Sequence, residues 1–562
     1  MDERIPAEIQ HAFRKAGLSR RGFLRMSGGA VAGAAVLGTT GCGIFGGEES
    51  GQGGEGGKTL LRRLSTEIRY FDSALATDER SFEILLNGMD GLYRLDRDDQ
   101  PQPAVAESSE VSEDELTYTF TIREGVKWSN GDPVTSHDFK FAWLRALDPD
   151  TASEYAYIIG DVIKGATEFN SGEGSRDQVA IEAPDDRTLK VTLVNPTPYF
   201  LSLTAFTTYF PQNEAYVKEQ GDQYAAGPQN ILYNGPFVMQ NYDAAAGGTM
   251  VKNDQYWDKD NVAIERIEFK LVKDLNTALQ LYERDELHLT EISGDQVPRF
   301  KDDPEFWRYV AFTHFFGVMN QEDPVMANKN IRKAMMIGFD RQKLTGQVLQ
   351  DGSEPAFAFV PPGMAGPEGQ TFRQAGGNLV PQDPSQAKQF WDKGVQELGR
   401  TPQITLLTQD SSTARDLITF IQQQYREHLG IEAEVQITTF ENALDRAERR
   451  DYQISFASGW GADYGDPMTF LSYFLTNSGS NRTGFSNARY DQLVKGAQGE
   501  ADEAKRMRMM LEAEKILFDE AVLAPEYFEA VVGLKKPFLQ DFTKHPYGPD
   551  PDWKYARLEG GQ

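Results

Sequence analysis

Leu116, Tyr118, Phe120 and Ile122 alternate with Thr117, Thr119 and Thr121, the period-two pattern of a strand with one buried face. Gly131-Asp132-Pro133 then predicts a turn, and Thr135 with Asp138 a helix N-terminal cap and its reciprocal partner. Behind that cap Phe139, Ala142, Trp143, Ala146 and Leu147 recur at spacings of three and four, which makes one helical face apolar. Leu189, Val191 and Leu193 predict a second strand, closed by Asn195-Pro196. Helical spacing returns in Ile331, Ala334, Met335, Gly338 and Phe339, and again in Leu417, Phe420, Ile421, Tyr425 and Leu429 before Gly430. Ile431, Ala433, Val435 and Ile437 then alternate as a strand. Helix, glycine stop and strand together read as an α/β unit.

The first 42 residues follow a different pattern. Ser19-Arg20-Arg21-Gly22-Phe23-Leu24-Arg25 resembles a twin-arginine export motif without its usual final Lys. A Gly/Ala-rich, mildly apolar run from Gly28 to Gly41 follows, shorter than the roughly 20 residues a bilayer span needs, and ends at Cys42, the only cysteine. Charged flank, short apolar run and small residues make a cleaved signal, with Cys42 as the expected lipid-anchor site. Lipoprotein signals usually place Leu three residues before the cysteine; here that place is Thr39. Residues 43–57 are Gly, Glu, Gln and Ser apart from Ile44 and Phe45, a flexible tether spanning roughly 20 Å. Gly57-Lys58-Thr59 imitates the end of a phosphate-binding loop, but Gln52 stands where its first glycine belongs, so it is read as linker.

Cleavage before Cys42 leaves 521 residues, too many for one hydrophobic core, so at least two lobes are expected. The precursor's net charge of −28 becomes −31 once the basic leader is gone. Such a surface repels nucleic acid, which is excluded as a partner. With one cysteine there are no disulfides, zinc fingers or iron–sulfur clusters. The six histidines are scattered, no Gly-x-Ser-x-Gly turn occurs, and Asp96-Arg97-Asp98-Asp99 lacks the ligands of a calcium loop, so it reads as a solvated turn. The 85 acidic residues make chance carboxylate pairs certain. Catalysis and cofactors are not expected.

The region from residue 103 onward carries ordered motifs. Pro103-Ala104-Val105-Ala106-Glu107, Tyr118-Thr119-Phe120, Arg123-Glu124-Gly125-Val126-Lys127-Trp128-Ser129-Asn130-Gly131 and Arg145-Ala146-Leu147-Asp148-Pro149 occur in sequence. Asp90-Gly91-Leu92-Tyr93 precedes them; Asn234-Gly235-Pro236-Phe237, Tyr256-Trp257, Ile331-Arg332-Lys333-Ala334 and Gly459-Trp460-Gly461-Ala462-Asp463-Tyr464-Gly465-Asp466-Pro467 follow. Over roughly residues 60–540 the chain resembles the extracellular solute-binding proteins of family 5, the oligopeptide- and dipeptide-binding components of ABC importers.

That resemblance implies an α/β, periplasmic-binding-protein-like type II fold: a two-lobed clamshell with an extra inserted domain, closing on its ligand by hinge motion. Lobe I is expected at 58–90, 216–310 and 530–562, the insert at 91–215 and lobe II at 311–529. The resemblance gives Asp463 the ligand's α-ammonium, with Trp460 and Tyr464 beside it; Thr77, Tyr157, Phe440 and Tyr527 fall near matching cleft positions, where core or surface roles compete. Relatives that fix peptide length hold the C-terminal carboxylate with Arg, Lys or His. Here Phe456-Ala457-Ser458 and Glu322-Asp323 stand at two such places, and Arg415 is the candidate substitute. The expected protein is a monomeric extracytoplasmic receptor anchored to the outer face of the cell membrane through Cys42, periplasmic if the envelope has an outer membrane. It captures oligopeptides, without turnover, for ABC transporter permease subunits. A receptor for a non-peptide solute (a nickel chelate, a sugar or another amine-bearing ligand) and an extracellular hydrolase remain as rivals.

Overall fold

Asp78 starts the first α-helix among the described residues by accepting hydrogen bonds from the N–H groups of Arg80 and Ser81 at 3.1 and 3.0 Å, a side-chain cap on donors the helix itself cannot satisfy. The structure, a computed structural model, describes residues 58–560 apart from 382, 384, 458 and 477; the export motif at Arg20 and Arg21, Cys42 and the tether lie outside the described residues. The strand β1, Thr59–Leu64, precedes that helix, α1, Glu79–Gly88. Thr59 already pairs with Arg266 in parallel, and Lys58 reaches Glu265 at 3.2 Å, so folded structure begins inside the stretch expected as linker.

An antiparallel sheet of four strands comes next: β2 (Ala106–Val111), β3 (Thr117–Ile122), β4 (Ile181–Asp185) and β5 (Thr188–Thr192), in the order β2-β3-β5-β4. Tyr118, Phe120 and Ile122 are buried, as the alternation predicts. Helix α2, Ser136–Ala146, opens with the expected box: the Asp138 carboxylate accepts from Thr135 N–H at 2.8 Å. Burial pushes that carboxyl up to about 6 against the pull of its hydrogen bonds.

Apart from two small two-stranded sheets, Tyr93–Leu95 with Pro101–Pro103 and Leu539–Gln540 with Arg557–Leu558, the remaining strands join β1 in a twelve-stranded sheet. They are β6 (Phe237–Asp243), β7 (Gly247–Lys252), β8 (Arg266–Leu271), β9 (Leu289–Glu291) and β10 (Phe306–Met319). After β11, Thr405–Gln409, comes helix α3, Ser412–Leu429. Strand β12 (Glu434–Thr438), helix α4 (Phe440–Glu448), β13 (Ile454–Ser455) and β14 (Gly459–Gly461) follow. Helix α5, Glu503–Asp519, and the long β15, Leu523–Lys535, complete the set used below. The main path is β12-β11-β13-β10-β15-β9-β1-β8-β7-β6, with β14 attached to β10 and Glu354–Pro355 to β15. Helix α3 starts earlier than its apolar spacing predicts because Ser411 caps it, and Gly430 ends it at φ +73°. Ile431 and Ala433 are buried beside that left-handed turn but precede the strand.

The antiparallel pair β10 and β15 stands at the middle of this path. Five pairs from Phe306–Leu534 to Val310–Ala530 give way to His314–Phe528, a shift that leaves Ala311, Phe312 and Thr313 without partners on β15. The freed backbone turns elsewhere: Phe312 N–H donates to Pro546 and its carbonyl accepts from Ala462 N–H, at 2.8 and 2.9 Å. A bulge re-aims a strand at the price of local pairing. Here it presents the loop that follows β14. Among the described residues no helix is long and apolar enough to cross a membrane.

Candidate ligand cleft

Strands β11, β12 and β13 are mutually parallel neighbours, so their carboxyl ends open on one side of the sheet. Ligands of open α/β sheets bind at that edge, and here it carries the start of α3, the start of α4 and the loop through β14 to Asp466. Strand β14 pairs with β10 through Trp460–His314. The Ala462–Phe312 hydrogen bond sets the phase of that pairing, because bonding alternates along an antiparallel ladder. The backbone groups of Gly459 and Gly461 therefore point away from β10, along an edge paired with no other strand among the described residues. A Cβ on Gly459 would sit 2.9 Å from the Phe315 ring, and one on Gly465 2.7 Å from Tyr547. Close approach explains both glycines.

Asp463 ends this loop. Its N–H donates to Thr469 Oγ1 at 3.2 Å, and its Oδ2 accepts from the Tyr157 hydroxyl at 3.0 Å. Tyr157 lies 306 residues earlier in the chain, so this bond joins two distant segments. The Asp463 side is 9 % exposed. Burial pushes its carboxyl up to about 7, although the Tyr157 and Tyr155 hydroxyls pull the other way. No lysine, arginine or histidine among the described residues pairs with it. Tyr157 is 39 % exposed overall, with its hydroxyl end turned onto Asp463. The neighbouring Tyr464 stacks on Tyr199, ring centroids 4.3 Å apart and planes 7° from parallel. Trp460 is half-buried, donates Nε1–H to the Thr469 carbonyl at 3.0 Å and meets Tyr473 edge-on. Beneath the turn, Arg506 of α5 grips Asp466 with two bonds of 2.8 and 2.7 Å, both side chains buried.

These groups surround a cavity of about 60 Å³ whose walls include Tyr157, Tyr199, Trp460, Asp463 and Tyr464. Four of the sequence-predicted residues thus come together. Tyr527 is buried on β15 with its ring stacked on Phe315 at 4.9 Å, two strands from Trp460. Phe440 begins α4 and is 53 % exposed at the carboxyl edge. Thr77 is half-buried just ahead of the α1 cap, and Arg415 is half-exposed and paired with Asp410 at 2.7 Å. Neither Thr77, Phe440, Tyr527 nor Arg415 lines the cavity. Sequence reasoning missed Tyr199, Asp161 and the clasp from the C-terminal segment, where Gly548 N–H donates to Ala462. The motif Asn195-Pro196-Thr197-Pro198-Tyr199, at the end of the predicted strand, was the available clue for Tyr199.

A second cavity, about 480 Å³, lies between β15, the start of α3 and residues 293–295 and 348–351. Glu529, Asp351 and Asp416 line it, and no lysine, arginine or histidine does. Burial pushes the Glu529 carboxyl up to about 7, helped by Glu79 and Asp351. Among the described residues no group of histidine, cysteine and carboxylates is arranged to hold a metal ion.

Residues 100–482 match the family described as bacterial extracellular solute-binding proteins, family 5 middle. The chain is 37 % identical over 495 residues to the dipeptide-binding protein DppE of Bacillus subtilis, covering 88 % of this chain and 91 % of that protein. It is also 37 % identical over 504 residues to the oligopeptide-binding protein OppA of the same organism, covering 87 % and 91 %. Among solved structures, the peptide-bound OppA of Listeria monocytogenes matches with a TM-score of 0.79 and 37 % identity, over 90 % of this chain and 99 % of that one. The pheromone receptor PrgZ matches with a TM-score of 0.80 and 34 % identity, over 89 % and 99 %. With its two-lobed type II fold and its matched length, the chain belongs to the family 5 bacterial extracellular solute-binding proteins.

Proposed function

We propose that this protein is the extracytoplasmic receptor of an ABC importer, that it captures oligopeptides by closing its lobes around them, and that it hands them unchanged to the permease. In this reading Cys42 carries the lipid anchor and the Arg20-Arg21 motif directs export. The lobes follow the bounds given above, with 91–215 as the insert. The four-stranded sheet falls wholly inside that span and the parallel strands β11 to β13 inside 311–529, which supports the division. The names of the relatives, a dipeptide-binding and an oligopeptide-binding protein, support a peptide ligand.

One observation carries the reading: Asp463 is a buried carboxylate at the carboxyl edge of the sheet, hydrogen-bonded by a neutral hydroxyl and paired with no cation among the described residues. A carboxylate in low dielectric needs a charge partner. An α-ammonium supplies the charge and three donors. Beside it, the outward N–H and C=O groups of Gly459 and Gly461 suit an extended peptide added as a further strand. The cavities carry no basic group for a terminal carboxylate, so the ligand's far end extends without an anchor and its length is loosely set.

Calorimetry with tetrapeptides, free or acetylated at the N-terminus, tests this. Acetylation is expected to weaken binding by at least tenfold, as is Asp463→Asn with the free peptide, the scale of one lost charge-assisted bond. Equal affinity of free and acetylated peptides would remove the α-amine from recognition.

A further inference from the structure

The cavity beside Asp463 holds a second carboxylate that the ligand's α-amine does not use. Asp161 lines the same space, at the C-terminal end of the short helix Tyr157–Gly160 whose first residue bonds Asp463. Its carboxylate makes no hydrogen bond or ion pair among the described residues. Local structure does not ask for it either, since the C-terminal end of a helix favours basic side chains. We infer that this cavity receives the first side chain of the ligand, that the preferred side chain is an aminoalkyl cation such as that of lysine, and that Asp161 is the residue that selects it. The inference rests on the peptide reading of Asp463.

Charge, shape and position agree. Two carboxylates and no lysine, arginine or histidine line the cavity. The nearby guanidinium of Arg506 is committed to Asp466 and lies 5.7 Å from the Tyr199 ring centre, so it does not neutralise Asp161. Packed surroundings raise the Asp161 carboxyl above its usual range, with no compensating cation. Tyr157 and Tyr199 add ring faces, which attract ammonium groups at short range. About 60 Å³ has room for roughly four waters, which favours a slim aminoalkyl chain over an aromatic ring. A ligand whose α-ammonium sits on Asp463 carries its own first side chain nearest this space.

The test compares Lys-Ala-Ala-Ala, norleucine-Ala-Ala-Ala, Glu-Ala-Ala-Ala and N-acetyl-Lys-Ala-Ala-Ala by calorimetry on the wild type, Asp161→Asn and Asp463→Asn. Lysine is expected to bind about tenfold tighter than norleucine and tighter still than glutamate. Asp161→Asn is expected to bring lysine and norleucine within twofold while leaving the penalty of acetylation intact. Asp161→Asn keeps the size of a side chain that bonds no other described residue, so the fold is expected to stand. Equal binding of lysine and norleucine by the wild type, or a preference that survives Asp161→Asn, would overturn the inference and leave the peptide reading standing. A harmless acetyl group would instead overturn the peptide reading, and no binding of any member of the series would overturn both.

Discussion

Asp463 shows how one residue's environment sets a pH dependence. Desolvation favours the neutral acid and carries its titration to about 7. An ammonium partner favours the ionised form, so ligand binding must lower that value and expel a proton whenever the pH lies below about 7. Peptide affinity is therefore expected to fall as the pH drops from 8 to 5.5, by up to tenfold per unit below the titration. At pH 6 the apparent binding enthalpy should vary with buffer ionisation heat; at pH 8 it should not. The sign for stability is opposite to that of an ordinary surface aspartate. A raised value in the folded protein means stability that is present below the unfolded pKa and lost as the pH rises through about 7. Asp463→Asn is thus expected to raise the Tm of the ligand-free protein most at pH 8, somewhat less at pH 6 and hardly at pH 4. A pH-independent Kd together with unchanged Tm values would show that the carboxylate stays ionised throughout.

At the level of elements, the loop from β14 to Asp466 is held by packing that lies outside its own sequence. Arg506 comes from α5, Tyr547 from the C-terminal segment and Phe312 from the bulge in β10. Replacing Arg506 by Met leaves Asp466 buried without its partner, and removal of one member of a buried pair destabilises by about 3–5 kcal/mol. Urea unfolding of Arg506→Met against Arg506→Met/Asp466→Leu checks this: the double variant is expected to recover most of the loss, and a single variant as stable as the wild type contradicts it. The same contrast explains what the sequence made legible. The Thr117–Ile122 strand, the Thr135–Asp138 box and the Gly430 stop announce themselves because their signals are local, two to four residues long. Strand β10 does not. Its residues 306–315 are mostly half-buried on both faces, its middle is bulged, and its partner β15 lies more than 200 residues away, so no period survives to be read. Asp463, Trp460 and Tyr464 stand in an ordered motif and Tyr157 near a matching cleft position, whereas Asp161 and Tyr199 sit in short connecting segments whose meaning appears only when distant segments meet around the cavity.

For the whole molecule, the contacts between residues 155–199 and the loop at Asp463 include the Tyr157–Asp463 hydrogen bond, the Tyr155 hydroxyl acting on the same carboxylate, the Tyr199–Tyr464 stack and Arg506 5.7 Å from the Tyr199 ring centre. A hydrogen bond to a buried charge contributes about 1.5–3 kcal/mol and an aromatic pair about 0.5–1.5 kcal/mol beyond its buried area. In the proposed clamshell, contacts of this size each contribute a few kcal/mol at most to the closed state, a range in which differential binding to one state readily shifts the balance. Strands β10 and β15 run continuous through the sheet while their bulge interrupts pairing at Ala311–Thr313. Truncating the stack should therefore move the equilibrium without touching the ligand's amine. Tyr199→Ala, which also frees space beside Arg506, is expected to enlarge the radius of gyration of the ligand-free protein in small-angle scattering. Saturating peptide should restore the wild-type value, with Kd weakened by roughly the five- to tenfold that about 1 to 1.4 kcal/mol represents. Tyr199→Phe keeps the ring and is expected to behave as the wild type in both measurements. If Tyr199→Ala scatters like the wild type without peptide, the aromatic stack does not govern closure, and the Tyr157–Asp463 bond is the next contact to remove.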